Sequence, residues 1–74
     1  MAAERLLALL IVEDDPRLGP IMCDVLNRDW CTTLVTSIAA ARESLTKRIY
    51  DVAIVDRRLP DGDGIDLVAS MRAR

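Results

Sequence analysis

The sequence has no histidine and no phenylalanine, and its only aromatic residues are Trp30 and Tyr50. With so few aromatic side chains, the chain lacks the stacking platforms on which proteins hold single-stranded bases. Its ten Lys and Arg residues are scattered rather than gathered in a stripe, and the net charge is -2. These absences argue against direct nucleic-acid binding, which depends on a clustered positive surface.

Cysteine is also scarce, because Cys23 and Cys31 are the only two and lack CxxC spacing. With no histidine to help hold a metal, we expect both to be reduced thiols of a cytoplasmic protein, packed as small hydrophobic residues. Long apolar segments are missing as well. The run 6–12 is far shorter than the roughly 18 residues of a membrane span, and it ends in three acids rather than in a signal-peptide cleavage site, so no membrane association is predicted.

What is present is the balance of a small globular protein, with 51% hydrophobic and 30% charged residues. The length of 74 residues permits one domain, which we place at residues 1–74. Its stability should be marginal, because a chain this short buries only about 60% of its unfolded surface.

Apolar runs and helical stripes alternate along the chain. The runs 6–12 and 52–55 predict buried strands, and the Thr-rich segment 32–36 predicts an edge strand. Helices are predicted after residue 19, with Asp15 as a candidate N-cap, over 38–48 and from 64 onward. Their apolar stripes are Leu18, Ile21, Met22, Val25 and Leu26; Ile38, Ala41 and Leu45, continued by Ile49; and Ile65, Val68 and Met71. The order βαβαβα predicts an α/β fold with a parallel sheet covered by helices.

Carboxylates follow the first and third predicted strands, namely Glu13 and Asp14 after one and Asp56 after the other. Ligand sites in such sheets lie beyond the carboxyl ends of the strands, so these side chains should converge if the two strands are neighbours. A hard divalent ion such as Mg²⁺ would relieve their repulsion. Asp56 would then be placed as a nucleophile toward phosphorus, forming an aspartyl phosphate, while Glu13 and Asp14 hold the ion.

The segment after Asp56 reads Arg57-Arg58-Leu59-Pro60-Asp61-Gly62-Asp63-Gly64 and predicts a turn. We assign Asp61 and Asp63 to the turn and to a helix cap rather than to a metal. Gly62 and Gly64 are assigned to backbone conformations closed to other residues. A calcium loop is excluded, because its fifth position would be Ile65 and its glycine would be misplaced.

Two motifs at this separation resemble the receiver domain of two-component response regulators. They are Ile11-Val12-Glu13-Asp14-Asp15 and the strand-ending Asp56 followed by Leu59-Pro60-Asp61-Gly62 and then Gly64. The resemblance covers the whole chain and implies a three-layer, flavodoxin-like parallel sheet. It implies a phosphoacceptor signalling module rather than an enzyme.

Residue roles follow from the same resemblance. Asp56 would be the phosphoacceptor, Asp14 a direct Mg²⁺ ligand and Glu13 a helper acting through water, with the backbone carbonyl of Arg58 completing the protein ligands. The phosphoryl donor would be a phosphohistidine on a partner histidine kinase.

The chain departs from the family pattern, because receivers have five βα units and this sequence has three. The fourth strand, with its terminal Ser or Thr, and the fifth, with its terminal Lys, are missing, and no lysine follows Lys47. We therefore expect a partial receiver domain without an output domain, in which phosphorylation is impaired. The third strand would have an exposed apolar edge that favours self-association.

Two other functions remain open. One is an interaction fragment that dimerises through the exposed sheet edge and is not phosphorylated. The other is a phosphohydrolase with an aspartyl nucleophile, which would require a second Asp two residues after Asp56, where Arg58 stands.

Overall fold

The computed structural model describes residues 6–73, so residues 1–5 and 74 of the predicted domain lie outside the described part. Strands and helices alternate as predicted, and a short hairpin, β4 and β5, is inserted before the last helix. The elements are β1 (Leu7–Val12), α1 (Leu18–Leu26), β2 (Trp30–Val35), α2 (Ile38–Lys47), β3 (Val52–Val55), β4 (Arg58–Leu59), β5 (Gly62–Asp63) and α3 (Gly64–Arg72).

The main sheet is parallel in the order β2-β1-β3. Strand β1 is central, and its residues from Ala8 to Val12 are buried, which explains their unbroken apolar character. Strand β2 lies at an edge, as its threonines indicate, although it begins at Trp30, two residues before the predicted start. Strand β3 has the predicted bounds and lies at the other edge of the sheet in the described part of the chain.

Helices cover both faces of this sheet, so the fold is the predicted three-layer α/β arrangement. Alternation along β1 sends Leu10 and Val12 to one face, where they pack with Ile38 and Ala41 of α2 and Leu67 of α3. Leu9 and Ile11 point to the other face, which α1 covers as it packs against β1 and β2. The core is therefore divided by β1 into two apolar layers.

The predicted stripe of α1 is only partly correct, because three of its members are exposed. Leu18, Ile21 and Val25 are 45%, 58% and 62% exposed. The helix instead turns Gly19 toward the sheet, where a Cβ would lie 3.1 Å from the Leu34 side chain. A glycine at this contact lets the helix approach β2 closely, and the helix keeps a second apolar face on its outer side.

The stripes of the other helices also need correction at their ends. Helix α2 stops at Lys47 and Arg48 is extended, so Ile49 does not continue the buried face and is 91% exposed. In α3 the fully buried residue is Leu67, whereas Ile65 and Val68 are 55% and 40% exposed. The N-cap residue Asp63 precedes the first residue of α3, Gly64.

Helix α1 begins at Leu18, earlier than predicted, because Pro20 does not remove a hydrogen bond from the helix at its position. Pro20 is the third residue of the helix, and the first four N–H groups of any helix have no partner within it. The Asp15 carboxylate accepts hydrogen bonds from the N–H groups of Arg17 (2.8 Å) and Leu18 (3.1 Å), so it performs the predicted capping from outside the helix.

The β4–β5 hairpin contacts both the apolar core and helix α2. Leu59 is buried in the layer that contains Leu67. The Asp61 carboxylate accepts hydrogen bonds from the N–H groups of Ile38 (2.8 Å) and Ala39 (2.9 Å), which begin α2. Gly62 has φ +149°, as expected for a residue that must leave the usual backbone range.

Both cysteines are free thiols, Cys23 half-buried in α1 and Cys31 exposed on β2. Within residues 6–73, no helix has the length and the apolar character needed to cross a membrane.

We expect Asp61→Asn to destabilise the fold, because an amide offers one oxygen to the two N–H groups that the carboxylate now serves. The hydrogen bond from the Ala39 N–H has the largest effect and that from the Ile38 N–H the next, and together they hold the pKa of Asp61 below its usual value of 3.8. A lowered pKa contributes stability above the usual pKa, and that stability is lost as the pH falls through the folded-state value. Urea unfolding should thus show the largest deficit near neutral pH, and the deficit should shrink as the pH falls below 3.8.

Asp24→Asn is the matched control, because Asp24 is an exposed carboxylate within α1 and the helix propensities of Asp and Asn are similar. Equal unfolding curves for the two variants at neutral pH would contradict a capping role for Asp61.

Candidate functional site

The parallel pairing of β1 and β3 brings the two acidic strand ends side by side. Val12 lies opposite Val55 in the register, so Glu13 and Asp56 leave the sheet at the same edge. The Asp56 N–H donates to the Val12 carbonyl (2.9 Å), and the Glu13 N–H donates to the Val35 carbonyl (3.0 Å). Backbone hydrogen bonds thus fix both residues where the strands end.

Three carboxylates meet at this edge, as the sequence predicts. One carboxylate oxygen from each of Glu13, Asp14 and Asp56 lies within 4.8 Å of the other two. Glu13 is buried (8% exposed), Asp56 is half-buried and Asp14 is exposed. The group therefore forms a shallow acidic site with one wall inside the protein and one side open to solvent.

This arrangement shifts the pKa of Glu13. A hydrogen bond from the Asp15 N–H (3.1 Å) by itself lowers the Glu13 pKa, but burial and the carboxylates of Asp56 and Asp14 raise it. The net effect is a pKa above the ordinary value of 4.5. Negative charge at Glu13 is therefore unfavourable until a cation or a proton joins the group.

The described residues do not supply that cation from their own ion pairs. The two ion pairs between residues 6 and 73 are Lys47–Glu43 (2.9 Å) and Arg57–Asp63 (3.7 Å), and neither includes a member of the acidic group. Ligand oxygens of one octahedral Mg²⁺ lie about 3.0 Å apart when adjacent and about 4.2 Å apart when opposite, as its bond length of about 2.1 Å requires. The spacing of the acidic group is compatible with these separations after a small closure, or with one ligand acting through water.

The other predicted site residues have separate positions. Arg58 begins β4, two residues after Asp56, and the metal-binding role of its carbonyl stays a prediction. Asp63 accepts a hydrogen bond from the Ile65 N–H (2.8 Å) and is the N-cap of α3, as expected. Asp61 is also a cap, although of α2 rather than of the helix that follows it.

Gly64 has a positional role that the sequence did not reveal. Its φ is not positive, so the predicted need for an unusual backbone conformation is wrong for this glycine. The constraint is contact, because a Cβ at this position would overlap the backbone carbonyl oxygen of Asp56 and lie 2.8 Å from Val55. The Gly64 N–H also donates to the Arg57 carbonyl (2.6 Å). The start of α3 therefore presses directly on the backbone that carries Asp56.

Comparisons with known proteins agree on one family. The family model of the response regulator receiver domain matches residues 9–74. The response regulator protein PilR of Pseudomonas aeruginosa is 36% identical over 66 residues, which cover 88% of this chain and 15% of that protein. The swarming motility regulation protein RssB of Serratia marcescens is 37% identical over 70 residues, covering 88% and 30%.

Solved structures give the same result. A CheY-like receiver domain from Methylobacillus flagellatus superposes with a TM-score of 0.88 and 31% identity, covering 95% of this chain and 60% of that one. The MaeR response regulator bound to beryllium trifluoride gives a TM-score of 0.84 and 34% identity, covering 92% and 58%. The chain thus spans under two thirds of the length of these structures and of the two relatives.

Gly64→Ala should destabilise the protein by about 2 to 3 kcal/mol, because the added methyl group meets backbone rather than a movable side chain. The measurement is the free energy of unfolding in urea, supported by the amide chemical shift of Asp56, which should move as its peptide is displaced.

Gly19→Ala is the control, because its Cβ meets the flexible end of Leu34 and the helix gains about 1 kcal/mol in propensity. A Gly64→Ala protein as stable as Gly19→Ala would rule out the contact with Asp56 as a constraint.

Glu13→Gln should be more stable than the wild type near neutral pH without metal, since glutamine keeps an oxygen for the Asp15 N–H and removes a repelled charge. With its raised pKa, Glu13 stabilises the fold when protonated, and this stability is lost as the pH rises through that pKa. Thermal unfolding in EDTA should show the two proteins converging below about pH 4. A wild type that is the more stable protein at pH 7 would contradict the repulsion, and Asp24→Asn again controls for net charge.

Proposed function

The chain belongs to the response regulator receiver domain family, and on that premise we propose that Asp56 accepts a phosphoryl group in the presence of Mg²⁺. Members of this family are in general signalling modules rather than enzymes. The observation that carries the proposal is the convergence of the carboxylates of Glu13, Asp14 and Asp56 within 4.8 Å at the carboxyl ends of β1 and β3.

The metal would be held by the exposed side of this group. Asp14 and Asp56 would be direct ligands, Glu13 would act through water, and the Arg58 carbonyl would complete the protein ligands. All are oxygen donors, which Mg²⁺ prefers, and three of them are carboxylates whose mutual repulsion needs compensation. When bound, the ion would supply positive charge to offset that of the incoming phosphoryl group.

Transfer would proceed by attack of an Asp56 carboxylate oxygen on phosphorus. The P–N bond of the donor phosphohistidine breaks, its electron pair returns to the imidazole, and a P–O bond to Asp56 forms. The protein's contribution is position: the Asp56 backbone is held by Val12 on one side and pressed by Gly64 on the other. Structural support comes from MaeR, a neighbour that binds beryllium trifluoride, an anion with the geometry of a phosphoryl group.

The partner that donates the phosphoryl group would be a histidine kinase. Because the chain would receive phosphoryl groups from this kinase, we place it in the cytoplasm. Within the described residues, Lys47 is the last lysine, and it pairs with Glu43 on α2. No lysine of this part of the chain is therefore positioned to pair with a phosphoryl group on Asp56.

The test uses phosphoramidate, a small donor whose P–N bond resembles that of phosphohistidine, with Mg²⁺ present. Intact-mass measurement should show a single added phosphoryl group on the wild type and none on Asp56→Asn. Asp14→Asn should weaken Mg²⁺ binding about tenfold or more, as followed by the amide shifts of Glu13, Asp56 and Gly64 in a metal titration.

Asp24→Asn removes the same charge outside the acidic group and should behave as the wild type. A phosphoryl group that appears on Asp56→Asn, or Mg²⁺ shifts that survive both site substitutions, would refute the proposal.

A further inference from the structure

The β4–β5 hairpin follows Asp56 in the chain and contacts both α2 and α3. Its strands have two residues each, and Pro60 and Asp61 form the turn that joins them. A two-stranded hairpin is at best marginally stable by itself in water, so the position of this one depends on what its residues contact. Those contacts therefore determine where the backbone of Arg58 lies.

The hydrogen-bond pattern of the hairpin directs the Arg58 carbonyl away from β5. The Gly64 N–H donates to the Arg57 carbonyl (2.6 Å), so these two residues form a hydrogen-bonded pair that continues the antiparallel ladder. Hydrogen-bonded and non-hydrogen-bonded pairs alternate along such a ladder, and the next pair is Arg58 with Asp63. The carbonyl that we assign to the metal is therefore not engaged by the opposite strand.

Leu59 holds β4 against the core but does not by itself fix the direction of this carbonyl. Its side chain is 9% exposed and belongs to the apolar layer that contains Leu10 and Leu67. One buried side chain sets how deep a strand lies, whereas the strand can still rotate about its own axis. Such a rotation changes the direction of the Arg58 carbonyl, so a second contact away from the strand axis is needed to hold it.

Asp61 supplies this second contact at the tip of the hairpin. Its two carboxylate oxygens accept hydrogen bonds from different donors, one from the Ile38 N–H (2.8 Å) and one from the Ala39 N–H (2.9 Å), at the start of α2. A carboxylate held through both oxygens has a defined orientation, and its charge strengthens each bond. The backbone also approaches α2 closely, because a Cβ at Gly62 would lie 3.0 Å from the Ile38 side chain.

The turn links the position of Asp61 to that of Arg58. Asp61 comes three residues after Arg58, and the ring of Pro60 fixes one of the backbone angles between them. Leu59 and Gly62 pair directly beside the turn, so the tip and the two strands move together. A shift of Asp61 relative to α2 therefore moves the Arg58 carbonyl as well.

We propose that Asp61 is a positioning residue for Mg²⁺, whose hydrogen bonds to α2 hold the Arg58 carbonyl in the direction that the ion requires. This inference rests on the proposed function, because it concerns the same metal site, although Asp61 is not a member of the acidic group. Mg²⁺ demands near-ideal octahedral geometry, so a displaced carbonyl weakens its binding. Coupling is reciprocal, so the hydrogen bonds from Ile38 and Ala39 to Asp61 are stronger when the metal is bound.

The first experiment is a Mg²⁺ titration of the full chain, followed by the amide shifts of Glu13, Asp56 and Gly64. It runs under conditions in which urea curves show each variant to be folded. Asp61→Ala should weaken Mg²⁺ binding about fivefold or more, because it removes both acceptor oxygens. Asp61→Asn keeps one acceptor oxygen and should give a smaller loss.

Ser37→Ala is the matched control, because it removes the other side-chain cap of α2 without changing the hairpin. The Ser37 hydroxyl oxygen accepts a hydrogen bond from the Ala40 N–H (3.1 Å), and loss of such a cap also destabilises the helix. Its Mg²⁺ affinity should stay close to that of the wild type. Unchanged affinity in Asp61→Ala, or an equal loss in Ser37→Ala, would overturn the positioning role.

The choice between two metals separates positioning from stability. Ca²⁺ accepts variable ligand numbers and flexible geometry, whereas Mg²⁺ does not. Asp61→Ala should therefore lower the affinity for Mg²⁺ more than the affinity for Ca²⁺ in parallel titrations. A protein that is merely less folded would lose both affinities in the same proportion, and that result would overturn the proposal.

Hydrogen exchange measures the reverse effect on α2. Saturating Mg²⁺ should slow exchange of the Ile38 and Ala39 amides about fivefold, and that of the Ala40 amide less, since Ala40 donates to Ser37 rather than to Asp61. Unchanged exchange, or equal slowing of all three amides, would overturn the coupling through Asp61.

The outcomes also distinguish this inference from the proposed function. A wild type without Mg²⁺-dependent shifts, or with shifts that survive Asp14→Asn, would overturn the metal site and this inference with it. Mg²⁺ binding that depends on Asp14 but is unchanged in Asp61→Ala would overturn the positioning role alone.

Discussion

The hydrogen-bonded register between β1 and β3 is the constraint on which most of the molecule depends. Once Val12 lies opposite Val55, the buried residues of β1 receive their partners, and the carboxylates of Glu13 and Asp56 emerge together. The pairing that buries β1 necessarily also brings the carboxylates together, because the site residues directly follow the core strands in the chain. The apolar burial of β1 therefore provides the free energy that holds like charges close to each other.

Several features follow from local rules, and these were predictable from the sequence. The four apolar residues directly before Asp56 predict a strand, and they form β3. Ser37 lies directly before α2 and caps it by accepting a hydrogen bond from the Ala40 N–H. The acidic group was also predictable, because alternating strands and helices restrict the sheet to a few topologies. Each of these inferences depends on residues close in sequence or on a general rule of chain direction.

The features that sequence reasoning missed depend on distant contacts. Nothing near Asp61 indicates that it caps α2, since its partners Ile38 and Ala39 are more than 20 residues earlier. Gly64 has no turn that demands glycine, and its role is visible only once α3 meets the Asp56 carbonyl. Leu67 and Ile65 are both apolar but lie on nearly opposite sides of α3, so the sequence pattern alone allows either of them to face the core. Which one is buried depends on how α3 is set by the hairpin before it.

Strand β3 has two structural features that are coupled to each other. Its carboxyl end carries Asp56, whereas its outer side presents backbone groups and the exposed side chains of Val52 and Ile54. One hydrogen bond, from the Asp56 N–H to Val12, determines both. It fixes the position of the Asp56 carboxylate, and because backbone groups alternate along a strand it also determines that the backbone groups of Ala53 and Val55 face outward. Any strand that covers this edge must match that phase, so the position of Asp56 and the alignment of a partner strand cannot vary independently.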